Sequence, residues 1–240
     1  MENDELQLSQ HISKQFNQEL EDVRNQVLKM GGLVERQVQD GLNSLLNGDV
    51  KLAKKVIKRD RKVNAMEVGI DESCVEILAR RQPAASDLRL VISIIKTITD
   101  LERIGDEAEK LANSTKMIDE DKITDRQFHE LRSLGESVIR MLKRTLDATA
   151  RMDVEEALDI IKSDVEINQE FESLSRLLVL KMMEDPRCIK DALSISWSAR
   201  ALERIGDHAK NICEYVVYLV KGKDVRHISM EDLDDTLDDL

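Results

Sequence analysis

Apolar residues recur every three or four positions over most of this chain, which is the period of an α-helix that buries one side. The first run extends from about residue 6 to residue 46, and the second from about residue 50 to residue 81. Asp49 precedes the second run and can cap it by accepting hydrogen bonds from free backbone N–H groups. Pro83 ends it, because the residue before a proline resists helical geometry.

The same pattern predicts four further helices. They are expected to open at Ser86 or Asp87, at Thr124 in a capping box with Gln127, at Asp153 and near Pro186, and the last should end at Gly222. Long helices joined by short turns pack antiparallel. Six such helices in two sets of three predict an all-α fold of two tandem three-helix bundles.

An internal repeat supports this division. The hexapeptide Leu-Glu-Arg-Ile-Gly-Asp occupies residues 101–106 and again residues 202–207, and positions upstream of the two copies also match. Duplication of one structural unit explains such self-similarity. The predicted units are residues 1–118 and 124–222, followed by an acidic tail over residues 223–240.

Composition narrows the functional class. The formal net charge of −12 argues against a nucleic-acid partner, because phosphate backbones need a basic surface to displace their counterions. The three cysteines lie far apart without a Cys-x-x-Cys pair, so they predict neither a disulfide framework nor a zinc site. The acidic N-terminus and the absence of a long apolar run favour a cytoplasmic protein without a signal peptide or membrane span.

The repeated hexapeptide contains the candidate chemistry. On a helix Glu102 and Asp106 are neighbours on one face, where two carboxylates repel unless a cation lies between them. They flank the apolar stripe, which places them at a seam between helices. Counting back through the antiparallel turn at Pro83 brings Glu67 of the second helix to the level of Glu102 and Asn64 near that of Asp106, with Asp60 one turn further on.

The second repeat offers a similar set, composed of Glu203 and Asp207 with Asp164 and Asn168 opposite them. Glu67 receives less weight than the other residues because the repeat retains no acidic counterpart for it; the same count lands near Phe171. Oxygen-rich sets of this kind suit hard cations such as Mg²⁺, Mn²⁺ or Ca²⁺, and iron and Zn²⁺ also accept carboxylates. A duplicated salt-bridge and packing motif without metal is the alternative.

The other residues in and directly after the two hexapeptides are expected to have different roles. Arg103 and Arg204 are expected to form salt bridges, and Gly105 and Gly206 to permit close helix approach. His208 follows the second copy directly and could be an auxiliary ligand, but an exposed surface histidine is the favoured interpretation. The chain contains no phosphate-binding glycine loop, no Gly-x-Ser-x-Gly and no His-Glu-x-x-His, so it is not expected to be an enzyme.

The motifs together resemble the PhoU family, whose members are accessory proteins of bacterial phosphate-specific transport. The resemblance covers almost the whole chain, and the segments that carry it are residues 11–13, 16–17, 81–89, 100–106, 202–208, 211–212 and 221–222. Both halves hold the family motif in the same order and spacing. Asp100 is matched by Ala201, so the two sites need not bind the same metal or the same number of ions.

The resemblance implies two three-helix bundles related by pseudo-two-fold symmetry, a homodimer, and metal ions or clusters with Glu102, Asp106, Glu203 and Asp207 as ligands. It also implies a negative regulator of phosphate uptake and of the phosphate-starvation response. Such a protein links the ATPase subunit of the phosphate transporter to a sensor histidine kinase, and it contacts the membrane only through these partners. No direct phosphate pocket is expected, because an acidic site could hold phosphate only through its metals.

The residues leave two other classes of function open. A metal-dependent hydrolase or phosphatase could use paired ions to activate water. A helical scaffold without a metal requirement would use the repeated carboxylates only for salt bridges and packing.

Overall fold

The computed structural model describes residues 2–116, 125–226 and 228, and this part of the chain contains helices and turns without a β-strand. The six long helices are α1 (Glu2–Leu46), α2 (Val50–Arg81), α3 (Ala85–Ser114), α4 (Asp125–Arg151), α5 (Val154–Glu184) and α6 (Ile189–Lys221). A single 3₁₀ turn, Pro186–Cys188, precedes α6. The predicted all-α fold with six long helices is confirmed.

Most of the predicted helix ends are confirmed by their capping contacts. The Asp49 side chain accepts hydrogen bonds from the first turn of α2, and the Asp153 side chain accepts one from the Glu156 backbone N–H of α5. Gly222 ends α6 in the left-handed conformation with φ 75°, where glycine carries no steric penalty. Thr124 lies outside the described residues.

The predicted cap of α3 is wrong. The helix begins at Ala85, and its N-cap residue Ala84 makes no side-chain hydrogen bond. Asp87 lies inside the first turn, where its negative charge stabilises the positive end of the helix dipole.

The helices form two antiparallel three-helix bundles that share one hydrophobic core. α2 packs on α1 and α3, α5 packs on α4 and α6, and the two sets meet through α3 against α6 and α1 against α4. Residues of all six helices belong to the same buried apolar cluster. α2 and α5 therefore lie at opposite edges of the molecule. The proposed boundaries at residues 1–118 and 124–222 stay a prediction.

Polar contacts cross the seam between α3 and α6. Asp100 of α3 is 3% exposed and accepts three hydrogen bonds from α6: from Asn211 Nδ2 at 3.2 Å, from Tyr215 Oη at 2.8 Å, and from His208, whose Nδ1 lies 2.7 Å from Asp100 Oδ1. Desolvation and the bond to Asp100 raise the pKa of Tyr215, which keeps its hydroxyl a donor. A buried carboxylate is stable only with such partners, so Asp100 defines the register of α3 on α6.

A second contact crosses the same seam further along. Glu107 of α3 is 3% exposed, and its Oε1 lies 3.1 Å from Arg204 Nε of α6 and 2.9 Å from Lys110 Nζ. The predicted salt bridge of Arg204 is thereby confirmed. Arg103 forms no ion pair within 4.0 Å in the described part of the chain; its charge acts on Glu67 and Glu102.

The tail after α6 begins by packing on the bundle. Val225 is 3% exposed and belongs to the core, and Ile228 packs against it. The rest of the predicted acidic tail, residue 227 and residues 229–240, lies outside the described residues. Among the described helices, none has a stretch apolar enough to cross a bilayer.

The close contact of α1 with α3 depends on the missing side chain of Gly41. A Cβ atom there would lie 2.9 Å from the backbone oxygen of Ala108, so the backbone of one helix would have to shift. Gly69 of α2 is a matched control, because a Cβ atom there would meet nothing within 4 Å.

We expect Gly41→Ala to lower the free energy of unfolding by roughly 1–3 kcal/mol through overpacking. Gly69→Ala should raise it by about 0.5–1 kcal/mol, since alanine is the better helix former. Urea unfolding followed by circular dichroism measures both. Equal shifts for the two variants would contradict the close helix contact at Gly41.

Candidate metal centre

The first acidic site lies between α2 and α3 and consists of Asp60, Glu67, Glu102, Asp106 and Glu109. Asp60, Asp106 and Glu109 each offer one carboxylate oxygen, and these three oxygens lie within 4.8 Å of one another. Three donors at this separation can contact one cation. The antiparallel count made from the sequence therefore brought the correct faces of α2 and α3 together.

Close packing holds Asp60 in the site. It is 5% exposed, and its Oδ1 accepts a hydrogen bond from Gln37 Nε2 of α1 at 2.9 Å. Gln37 Nε2 also donates to the Gly105 carbonyl at 3.2 Å. A Cβ atom on Gly105 would lie 3.2 Å from Asp60 Oδ1, so the predicted close approach at this glycine is confirmed, and its purpose is to admit a carboxylate.

The carboxylates of the first acidic site destabilise one another as anions. Desolvation raises the pKa of Glu102, and the charges of Asp106, Glu67 and Asp60 raise it further. Desolvation is also the largest cause for Asp60, Glu67 and Glu109, and in each the charge of Asp106 adds to it. Proximity of like charges in a partly buried seam favours either protons or a bound cation.

Two amide side chains border the first acidic site. Asn64 Oδ1 and Gln37 Oε1 are both buried without a hydrogen-bond partner, and Asn64 also donates to Asp60, which lowers the pKa of that carboxyl. Buried polar atoms without partners are uncommon in native structures. Amide and carboxylate oxygens are the donors that hard divalent cations prefer, so the residues present fit such an ion.

Glu109 was missed by the sequence analysis. It lies outside the repeated hexapeptide, three residues beyond Asp106, and its counterpart in the second repeat at the hexapeptide offset of 101 is Lys210. Since the prediction weighted positions that both repeats retain, it excluded a residue that only one half uses. Helical spacing was the available indication, because residues three apart lie on one face.

The second acidic site lies between α5 and α6 and consists of Asp164, Asn168, Glu203 and Asp207. Asp164 is 4% exposed, and its Oδ2 accepts a hydrogen bond from Asn168 Nδ2 at 3.1 Å. Burial, followed by the charges of Glu203 and Asp164, raises the pKa of Asp207. The fold thus brings together the four residues predicted for this half.

A lysine distinguishes the second acidic site from the first. Lys210 Nζ lies 3.3 Å from Asp164 Oδ2. Its positive charge offsets part of the rise in the pKa of Asp207. Phe171 occupies the position that corresponds to Glu67, and the Arg200 guanidinium lies 4.7 Å from the centre of its ring. Two acidic residues of the first half are therefore replaced by a cation and an aromatic ring.

Some acceptor capacity remains in the second acidic site. Asp164 Oδ1 and Glu203 Oε2 are buried without a hydrogen-bond partner, while Glu203 Oε1 accepts a hydrogen bond from Arg200 Nη1 at 2.8 Å. The predicted close approach at Gly206 is not confirmed, since a Cβ atom there would lie 3.4 Å from Ile167 Cγ2, an ordinary van der Waals contact. Here the neighbour is apolar, whereas Gly105 faces Asp60.

The favoured interpretation of His208 is wrong. The residue is 7% exposed, because it lies on the face of α6 that packs on α3, and its Nδ1 is engaged by Asp100. Asp100 likewise faces α6 and not the first acidic site. The difference between Asp100 and Ala201 consequently affects the seam between the halves. The chemical difference between the two sites comes from Lys210 and Phe171.

Comparison with known proteins gives the family of this chain. The family model described as the PhoU domain matches residues 27–115 and 131–216. A Pseudomonas aeruginosa protein named phosphate-specific transport system accessory protein PhoU homolog is 53% identical over 223 residues, covering 93% of this chain and 92% of that protein. The Escherichia coli phosphate-specific transport system accessory protein PhoU is 49% identical over 239 residues, covering 98% and 97%.

Solved structures agree with the fold. The crystal structure of PhoU from Pseudomonas aeruginosa superposes with a TM-score of 0.84 at 52% identity, covering 87% of this chain and 100% of that one. The phosphate transport system regulatory protein PhoU from Streptococcus pneumoniae gives a TM-score of 0.81 at 31% identity, covering 88% and 99%. Sequence, fold and the duplicated acidic motif lead to one conclusion: this chain belongs to the PhoU family.

Proposed function

We propose that this protein is a metal-binding regulatory adaptor of phosphate uptake. The similarity to named phosphate-transport accessory proteins over nearly the full length of the chain supports the accessory role. The partners proposed are the ATPase subunit of a phosphate transporter and a phosphate-sensing histidine kinase, with the adaptor holding the kinase in its phosphatase state when phosphate is plentiful. The proposed assembly is a cytoplasmic homodimer.

The metal part of the proposal rests on one observation. Asp60, Asp106 and Glu109 bring three carboxylate oxygens within 4.8 Å of one another. Asp60, Asp106 and Glu109 would hold a hard divalent or iron ion, with Glu102, Glu67 and Asn64 available as further donors. The bound ion would neutralise the cluster and tie α2 to α3.

The two halves are proposed to differ in metal affinity. In the second acidic site the Lys210 ammonium already neutralises Asp164. A cation placed there would meet an ammonium in contact with a site carboxylate, whereas Arg103, whose charge reaches Glu67 and Glu102, forms no ion pair within 4.0 Å among the described residues. We therefore assign the tighter ion to the first acidic site, and Glu203, Asp207, Asp164 and Asn168 become a weak or secondary site.

Purified protein should capture both partners, and metal binding should strengthen the contact. Pull-down with the transporter ATPase subunit and with the sensor kinase, in the presence of Mn²⁺ or of a chelator, tests this. The matched variants are Glu102→Ala/Asp106→Ala and Glu203→Ala/Asp207→Ala. Capture of neither partner under any condition would contradict the adaptor proposal. If metal-loaded protein hydrolyses phosphate esters and Glu102→Ala abolishes that activity, the protein is a hydrolase instead.

Glu109 and Lys210 occupy the same repeat position, and changing each to the other residue should reverse the metal affinities of the two acidic sites. Glu109→Lys should weaken Mn²⁺ binding at the first acidic site by roughly a hundredfold or more, since a like charge at contact distance costs several kcal/mol. Lys210→Glu should create a second strong site, and elemental analysis should then find additional metal. Lys210→Gln is the control that removes the charge without adding a ligand.

The sign of the Glu102→Gln effect on stability should depend on metal. In chelator the variant should melt at a higher temperature than wild type by roughly 2–4 °C, which is what about 1 kcal/mol produces in a chain of this size, because one repelling charge is removed. With saturating Mn²⁺ it should melt lower, because a ligand is lost. Glu136→Gln, at an exposed site on α4, should shift neither value.

Metal-free protein should also respond to pH in a defined direction. Four carboxyls of the first acidic site, those of Asp60, Glu67, Glu102 and Glu109, have raised pKa values in the folded chain, so the folded state binds more protons at these groups than the unfolded state. Their contribution to stability therefore increases as pH falls from 7 through the raised pKa values. Glu102→Gln should reduce that increase in thermal melts with chelator. An unchanged pH profile would show that Glu102 is not coupled to its neighbours.

A further inference from the structure

The outer face of α2 carries a concentration of positive charge in an otherwise acidic protein. We call it the basic stripe, and its members are Lys51, Lys54, Lys55, Lys58, Arg61 and Lys62, all exposed. At 100° per residue the six side chains fall within an arc of about 120°, and at 1.5 Å per residue they extend over about 17 Å of helix. The buried residues Ala53, Val56, Asp60 and Val63 occupy the opposite face.

The charges of the basic stripe are not compensated within the described part of the chain. None of its six residues forms an ion pair within 4.0 Å in residues 2–116 and 125–226, while Arg59 beside them pairs with Asp40 at 2.7 Å. Members of the stripe lie three and four residues apart, where like charges destabilise a helix. The first turn of α2 contains no acidic residue, so Lys51 in that turn also opposes the helix dipole.

The fold does not require these cations. The repeat-related helix α5 folds into the same position of the second bundle although only Lys162 corresponds to a cation of the stripe; Leu158 and Val165 replace Lys54 and Arg61, and the other three positions are acidic. At the offset of 104, Lys51, Lys55 and Lys62 correspond to the exposed residues Glu155, Asp159 and Glu166. The first turn of α5 is acidic, as the helix dipole favours. Because the repeat unit folds with either charge on this helix face, folding does not explain the basic stripe. Its uncompensated charges are available to bind an external anion.

The composition and place of the basic stripe point to lipid headgroups. Five of its six residues are lysine, which acts as a flexible point charge and is depleted at protein interfaces, where arginine is enriched. About 17 Å covers only half a turn of duplex DNA. Pairing with the acidic face of α5 on a second copy would join opposite edges of the molecule, which gives an open chain and not a closed dimer.

We propose that the basic stripe of α2 binds an anionic lipid surface directly. As an edge helix, α2 can approach a plane with its lysines toward headgroup phosphates, while the remaining acidic surface stays away from the bilayer. Clusters of four to eight basic residues on a helix bind anionic leaflets in this way. The family resemblance had implied membrane contact only through partners. The present proposal adds a direct contact and does not depend on metal at the acidic sites.

Co-sedimentation with vesicles tests the proposal. Wild-type protein should bind vesicles that contain phosphatidylglycerol at low salt, and it should dissociate at high salt because exposed charges are screened. Lys51→Gln/Lys55→Gln/Lys58→Gln should weaken binding by roughly a hundredfold, about fivefold for each lysine.

The control variant is Lys29→Gln/Lys143→Gln/Lys190→Gln, which removes three exposed lysines from α1, α4 and α6. It makes the same change in net charge and should bind like wild type. Both triple variants should keep the helical circular dichroism and melting temperature of wild type, because all six side chains are exposed.

Four results would overturn the proposal. They are no binding of wild type to anionic vesicles, equal binding to vesicles of phosphatidylcholine alone, equal loss in both triple variants, and a preference of the stripe for a DNA duplex or for another copy of the protein over lipid. Binding should persist in chelator. Failure of the vesicle test therefore leaves the metal proposal untouched, and failure of metal binding leaves this one untouched.

Discussion

The packing of α3 on α6 is the contact on which the rest of the molecule depends. It joins two bundles that would otherwise each expose an apolar face, and it buries Asp100 and Glu107 against partners from the other half. Because these carboxylates need those partners, only one register of the two helices satisfies them. That register directs Glu102 and Asp106 of α3 away from α6 and toward α2. The acidic sites therefore form on the flanks of the seam.

Duplication has preserved the backbone of the two halves and altered their chemistry. Both halves keep the glycine of the hexapeptide, but Asp60 approaches Gly105 closely, whereas Gly206 has only an ordinary contact with Ile167. Lys210 stands where the first half has Glu109. A repeat unit folds as long as its apolar positions are kept, so the polar positions at the seam edges were free to diverge.

Helix α2 illustrates how one element can face two environments. Its inner edge contributes Asp60 and Glu67 to the first acidic site, and its outer face carries the basic stripe. Net charge averages over these features, which is why the value of −12 argued against a nucleic-acid partner and at the same time concealed a local cationic surface. Charges on opposite sides of a helix act on different partners, since interactions between exposed charges are screened beyond about 10 Å.

The sequence by itself determined the helices, their number and the correspondence of the two hexapeptides as copies of one repeat. Apolar period, caps and repeats can all be recognised in the order of residues along the chain. It also identified most carboxylates of both acidic sites. Counting residues on either side of the antiparallel turn at Pro83 shows which positions of the two helices face each other. Only the tertiary structure decided the roles of Glu109, Lys210 and His208. Each role depends on which helix lies opposite, and Asp100, the partner of His208, is 108 residues away. Sequence spacing cannot report a contact of that kind, because it is created by the packing of one half on the other.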